Sequence, residues 1–394
     1  MLYTYINENL LGLQEVNVKN IKENEESRII EIELPRKECK CPVCGKHTSK
    51  IHDYRYQKVK DMPAFGKKTI LIYRKRRYAC SCGKRFEEPH TFLVRYQRMT
   101  QRAMLNMIKH LQSVRSYTDI ASEYGVSPNT AIRSFKIIKC AKPVNLPEVI
   151  GIDEFKGNSG GEKYHAILTD IKNKEVVDIL KTRKEIDLCR YFKKYDRKNV
   201  KYFVSDMYKP YAEIAATYFP KATYVIDRYH WIRQMIWAFE AVRKDVQKKL
   251  GKNYRIYFKH SKGLLLKSEQ KLTEEERCQV YVMLDMDPKL STAYFLKEEI
   301  YKLLKEKNPD KQKQLLSEWI MEAEESEVLS FKKCANTYRN WFAPICNSFD
   351  CPYTNGFTEG CNNKIKVLKR NAYGMRNFSN FRNRILFMFA KQSI

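Results

Sequence analysis

The chain has 394 residues, 43% of them hydrophobic, and its 74 Lys and Arg outnumber 46 Asp and Glu, leaving a formal net charge of +28. That apolar content supports buried cores over several folding units and excludes both wholesale disorder and a single small domain. A cationic excess spread along the whole chain implies a polyanionic partner, nucleic acid rather than a membrane surface, because no basic stretch has a clean apolar face.

At the N-terminus, residues 1–13 include Asn7, Glu8 and Asn9 and show neither the basic n-region nor the apolar h-region of a signal peptide. No segment approaches the roughly twenty apolar residues of a membrane-spanning helix. The sequence therefore predicts a cytoplasmic protein with no membrane partner. Its twelve cysteines should be reduced thiols rather than disulfides.

Residues 1–100 read as strand-rich and carry two close cysteine pairs. Cys41 and Cys44 lie in CPVCG, where the turn brings two thiolates to one point and the glycine permits the tight backbone that follows. Cys80 and Cys82 form a shorter C-x-C pair. Between the pairs, residues 69–79 (TILIYRKRRYA) alternate apolar and basic, so an exposed strand would return the second pair to the first. Four thiolates make a closed tetrahedral site, predicting structural Zn²⁺ in a DNA-binding module. Arg74, Arg76 and Arg77 on that strand suit phosphate contact, or line a solvated strand edge.

Residues 101–146 read as a helix-turn-helix. Tyr117, Ile120, Ala121 and Tyr124 make one helical face, Gly125 supplies a left-handed turn, and Ser127-Pro128 caps and opens a second helix. Asn129, Thr130 and Arg133 on that helix would face DNA bases.

Next come three strands, a helix, a strand ending in Asp206, a helix, and a strand ending in Asp227 before Arg228, Tyr229 and His230. This is the element order of a ribonuclease H-like domain. In that fold, Asp153 on the first strand and Asp206 on the fourth lie side by side, where hard oxygen ligands suit Mg²⁺ or Mn²⁺. Strand alternation should keep neighbouring Glu154 from aiming at the same point. A later helix, opened by Asn355-Gly356, puts Glu359, Asn363, Lys366 and Arg370 on one face. A metal ligand followed by cations suits a grip on a phosphodiester.

The motifs CPVCG with Cys80/Cys82, GIDEF, VSDMYKPY, FPKATYVIDRYH and TNGFTEGCNNKIKVLKRNAYGMRNFSNFRNRIL resemble the ISL-three family of bacterial insertion-sequence transposases. The resemblance implies a multidomain α+β enzyme. It comprises a zinc module over 1–100, a helix-turn-helix over 101–146, a ribonuclease H-like catalytic domain over 147–230 and 346–394, and a helical insertion over 231–345. It implies a catalytic triad of Asp153, Asp206 and Glu359, with Asp227 and His230 as a supporting element. The expected activity is metal-dependent DNA cleavage and strand transfer on terminal inverted repeats and target DNA, by a dimer or larger assembly at the bacterial nucleoid. The alternative is a sequence-specific DNA-binding regulator whose ribonuclease H-like domain is catalytically silent. A nuclease or resolvase that cuts without joining is a third reading.

Overall fold

Strand-forming sequence dominates the N-terminal hundred residues. The strands there are β1 (Asn17–Glu23), β2 (Ser27–Glu33), β3 (Cys39–Lys40), β4 (His47–Thr48), β5 (Ile51–Ala64), β6 (Lys67–Ala79) and β7 (Arg85–Glu87). The computed structural model describes residues 12, 16–94, 97–258 and 261–390. They divide into two units, one of Met1–Ala141 with Lys364–Ile394 and one of Lys142–Asn363.

In the first unit the sheet order is β1-β2-β6-β5, with β7 added to β6, so the basic strand β6 is internal rather than an exposed edge. Its apolar residues Leu71 and Tyr73 close a core with Ile30, Ile32 and Val59. The pair β3–β4 forms a separate small hairpin. Three helices follow, Gln101–His110, Tyr117–Glu123 and Pro128–Phe135, the last two capped by Ser116 and Ser127 side chains. Gly125 between them has φ of +62°, a conformation costly for any residue with a Cβ. Ile120, Ala121, Tyr124, Ala131 and Phe135 are buried together. The C-terminal helix Phe378–Phe389 belongs to this unit. Its Phe387 ring meets Phe135 at 5.4 Å. Its buried Arg384 donates to the carbonyls of Ser113 and Arg115 at 3.0 and 2.8 Å.

The second unit carries β8 (Val149–Ser159), β9 (Glu162–Asp170), β10 (Glu175–Leu180), β11 (Tyr202–Ser205) and β12 (Thr223–Ile226). Their order is β10-β9-β8-β11-β12. The first three are antiparallel, and β8, β11 and β12 run parallel. Parallel neighbours need a crossover, which the helices Glu185–Phe192 and Lys209–Tyr218 supply. Leu188, Phe192, Tyr211 and Ile214 from those helices pack on Ile150, Ile152 and Leu168. After β12 the described chain is helical from Arg228 to Asp350 and builds its own core on Trp231, Phe239, Tyr294, Trp319 and Tyr338. Among the described residues no helix is long and apolar enough to cross a membrane.

The helix Gly356–Asn371 lies over β8 through its first two turns. Gly151 makes the approach possible: a Cβ there would stand 2.8 Å from Thr358 Oγ1 and 2.5 Å from Thr169 Oγ1. Those two hydroxyls are themselves hydrogen-bonded at 2.7 Å.

Candidate functional site

The two cysteine pairs meet. Each begins a tight turn, closed by Gly45 N–H to the Cys41 carbonyl at 3.1 Å and by Gly83 N–H to the Cys80 carbonyl at 3.0 Å. One sulfur of each of Cys41, Cys44, Cys80 and Cys82 lies within 4.8 Å of the others. Cys41 and Cys82 approach to 3.7 Å, and Cys44 and Cys80 to 3.4 Å. Tetrahedral zinc with bonds of about 2.3 Å separates its sulfurs by about 3.8 Å, so the four thiols fit that ion.

The basic strand beside them differs from its sequence reading. Arg76 is 4% exposed. Its guanidinium pairs with Glu88 at 3.1 Å and Glu33 at 3.4 Å and donates to the Leu34 carbonyl at 2.6 Å. Unpaired, such a buried charge would be very costly, and these partners make Arg76 a structural residue. Arg74 bonds Glu33 at 3.2 Å and lies over the Tyr54 ring, and Arg77 pairs with Asp53 at 3.0 Å. On the helix Pro128–Phe135, Asn129 and Arg133 are exposed and Thr130 is partly so.

In the second unit, β11 pairs with β8 through Val204 and Gly151. Continuing that register by two residues sets Asp206 beside Asp153. Oxygens of Asp153, Glu154 and Asp206 lie within 4.8 Å of one another. The presence of Glu154 corrects the expectation from strand alternation. β11 stops at Ser205, so β8 loses its neighbour on that side while β9 continues along the other, and the long glutamate side chain can reach into the opening on the β11 side. The Glu154 N–H donates to Asp153 Oδ1 at 2.7 Å.

Burial, opposed by the Glu154 N–H and reinforced by the charges of Glu154 and Glu359, pushes Asp153 up to about 6. Burial and the charges of Glu154 and Asp153 push Asp206 up to about 7. Burial also raises Glu154, against the pull of Arg183. Asp206 Oδ1 and Glu154 Oε2 are buried without a hydrogen-bond partner. Crowded carboxylates with orphaned oxygens suit a divalent cation, which would both neutralise and coordinate them.

Glu359 lies outside this cluster. It is exposed, as are Asn363, Lys366 and Arg370, so the predicted polar face of the helix Gly356–Asn371 is present. Its charge still acts on Asp153 and His230. Sequence reasoning missed the opposite face. Asn362, 3% exposed, donates to Asp153 Oδ2 at 2.8 Å. Asn355 donates its N–H to Asp227 Oδ1 at 2.9 Å and its amide to the Ile152 carbonyl at 3.2 Å. The available signal was polar residues at 355, 358 and 362 on the face that should be apolar. Asp227 is thereby tied to the start of that helix, and its own N–H donates to the Ser205 carbonyl at 3.0 Å. His230 accepts from Arg233 at 3.2 Å, and burial, then the Arg233 charge, holds it below the ordinary histidine value.

A carboxylate cluster where β11 ends beside β8, in a chain that also carries a four-thiol site, equips a metal-using enzyme. The zinc finger of transposases IS204, IS1001, IS1096 and IS1165 matches residues 37–82, and the ISL3 transposase domain matches residues 150–385. The chain therefore belongs to the ISL3 family of DNA transposases. It is 26% identical to the transposase for insertion sequence element IS1001 of Bordetella parapertussis, over 95% of this chain and 96% of that protein. It is 27% identical to the transposase for insertion sequence element IS1557 of Mycobacterium tuberculosis, over 36% of this chain and 31% of that protein. A 104-residue stretch, 26% of this chain, is 36% identical to 32% of a Lactococcus lactis protein named ATP-dependent protease. A match to a quarter of the chain carries no activity over to the whole.

Proposed function

We propose that this transposase binds the terminal inverted repeats of an insertion sequence, cleaves DNA at their ends, and joins the freed 3′-hydroxyl to target DNA. The carrying observation is the juxtaposition of Asp153, within β8, and Asp206, just past the end of β11, with the Glu359 helix bonded to Asp153 through Asn362. The mixed order β10-β9-β8-β11-β12 supports a ribonuclease H-like catalytic domain over 147–230 and 346–394, with residues 231–345 as a helical insertion.

Asp153, Asp206 and Glu359 would hold Mg²⁺ or Mn²⁺. The metal would supply Lewis-acid activation of the attacking oxygen and neutralise the leaving oxygen. Asn362 and the Glu154 N–H fix the Asp153 carboxylate. Asp227 anchors the start of the Glu359 helix through Asn355. His230, held below the ordinary histidine value by burial and then by the Arg233 charge, offers a ring nitrogen for hydrogen bonding beside the site. Lys366 and Arg370 continue the Glu359 face toward a phosphate backbone.

Residues 1–100 and 101–146 serve as the DNA-reading modules. Tyr117–Glu123 and Pro128–Phe135 form the helix-turn-helix, which offers Asn129, Thr130 and Arg133 to base edges. Arg74 and Arg77 remain candidates for phosphate contact; Arg76 does not. Two ends must be processed together, so the working form is a dimer or larger assembly on DNA, in the bacterial cytoplasm at the nucleoid.

The test incubates zinc-loaded protein and Mg²⁺ with a labelled duplex of the element's own end, comparing wild type with Asp206→Ala. Both should bind. Cleavage and joining by wild type alone supports the reading. Binding by both without cleavage, over a range of metals and end lengths, would replace it with a DNA-binding regulator. Equal cleavage by both would remove Asp206 from the site.

A further inference from the structure

Glu154 stands out because it does something its position on a strand discourages. Adjacent residues on β8 point to opposite faces, yet Glu154 and Asp153 bring their carboxylates together with Asp206 within 4.8 Å. An acidic side chain gains nothing from such company without a cation between the groups.

The side chain is held there. Glu154 Oε1 accepts from Arg183, while Oε2 is buried and has no hydrogen-bond partner. Arg183 in turn is fixed by two aromatic rings. Its guanidinium carbon stands 4.4 Å from the Tyr164 ring centre and 4.9 Å from that of Tyr208. Tyr164 lies on β9, and Tyr208 lies two residues after Asp206. The clamp therefore draws on both β9 and the segment that follows Asp206. On the far side of Asp153, the 97%-buried Asn362 donates through its Nδ2, and its Oδ1 is another buried atom without a partner. Three orphaned oxygens around one carboxylate cluster point to a ligand that accepts from none of them and attracts all of them.

We propose that Glu154 is a further cation-holding carboxylate of this site, beyond Asp153, Asp206 and Glu359, and that Arg183 is its positioning residue. Glu154 Oε2 serves the divalent ion, while Oε1 is retained by Arg183, which keeps the side chain from swinging into solvent. The inference rests on the metal-dependent reading of the site but names a residue that reading does not need. A ligand held by a planar guanidinium between two rings has little freedom to relax, so loss of either partner should be felt as metal affinity.

The experiment titrates Mn²⁺ into zinc-loaded full-length protein without DNA and follows free Mn²⁺ by electron paramagnetic resonance. Asp206→Asn should abolish the tight site. Glu154→Gln, nearly isosteric, should weaken it by about tenfold or more, the scale seen when supporting groups around a metal are removed. Glu154→Asp keeps the charge but shortens the reach and should weaken it too, so the test survives if one variant folds poorly by circular dichroism or zinc content. Arg183→Met should weaken binding in the wild-type background and add nothing in the Glu154→Gln background. If Asp206→Asn loses the ion while both Glu154 variants keep wild-type affinity, this inference is wrong and the underlying reading stands. If wild type and Asp206→Asn bind Mn²⁺ alike, the metal-dependent reading itself fails. An additive loss for Arg183→Met in the Glu154→Gln background would overturn its positioning role.

Discussion

Gly151→Ala adds one methyl group at the point where the Glu359 helix touches β8. The new Cβ would stand 2.5 Å from Thr169 Oγ1, 2.8 Å from Thr358 Oγ1 and 2.9 Å from Ile171 Cδ1. Thr169 and Thr358 are fully buried, so neither hydroxyl can swing away cheaply. Relieving the Thr358 contact alone requires the helix to withdraw by about 0.6 Å, the difference from an ordinary van der Waals approach. Overpacking of this kind costs about 1–3 kcal/mol. At about 2–4 °C per kcal/mol for a unit of this size, the melting temperature should fall by roughly 2–12 °C. Catalysis should suffer separately, because a misplacement of about 1 Å can cost up to 10²-fold in rate. We expect at least a tenfold loss of end cleavage with end binding retained. Thermal unfolding and cleavage of the labelled duplex measure the two effects. Thr358→Ala removes one obstacle and should restore part of both in the double variant. Wild-type melting and cleavage by Gly151→Ala would refute the close approach of helix and strand. A lowered melting temperature with full cleavage would refute the placement of Glu359 in the reaction.

Three further outcomes follow from other parts of the chain. Cys44→Ser should lower bound zinc from about one ion per chain and weaken end binding by at least about tenfold, since a structural zinc contributes directly to folding; metal analysis beside a binding titration checks both. Arg76→Ala should destabilise by about 3–5 kcal/mol, because it takes the paired guanidinium from buried Glu88, whereas Glu33 keeps Lys19 and Arg74; Arg133→Ala should instead leave stability within about 0.5 kcal/mol and cost about 1–3 kcal/mol of specific DNA affinity. Denaturant unfolding of both variants, with binding measured on specific and scrambled duplexes, separates them. Burial, then the charge of Glu322, pushes Glu299 up to about 7 from 4.5. Below the lower value both folded and unfolded states are protonated and nothing is lost; as pH rises toward the higher value the folded state increasingly bears the cost of ionising Glu299. Glu299→Gln should therefore stabilise the protein above about pH 7 and make no difference near pH 4, as read from melting temperature against pH.

Local chemistry was legible in the sequence wherever spacing alone carries it. Cys41 and Cys44, and Cys80 and Cys82, are paired by their own turns, and only a returning strand was needed to unite them. Gly125 and Ser127-Pro128 announce a turn and a cap because φ and capping preferences are properties of single residues. Apolar runs located β8 through β12, and the element order they make is what set Asp153 and Asp206 side by side in the sequence reading. What escaped depended on neighbours distant along the chain. Arg76 reads as a solvated base until Glu33 and Glu88 are seen to enclose it. Glu154 was read away from the site by strand periodicity, which says nothing of where the adjacent strand stops. Asn355, Thr358 and Asn362 look like a polar stripe on a polar helix. Their burial against Asp153, Ile152 and Thr169 makes them the fastening of the site.

The first unit is discontinuous: residues from Lys364 onward complete a body begun before Ala141. During synthesis at about 5–20 residues per second, the intervening Lys142–Asn363 delays that completion by roughly ten to forty-five seconds. Over that interval the nascent helices Tyr117–Glu123 and Pro128–Phe135 lack the Arg384 cap on Ser113 and Arg115 and the Phe387 ring against Phe135. On the proposed reading, a growing chain can grip DNA firmly only after every carboxylate of its cutting machinery has left the ribosome, and a message cut short before Lys364 yields neither a complete reader nor a dominant blocker of the ends.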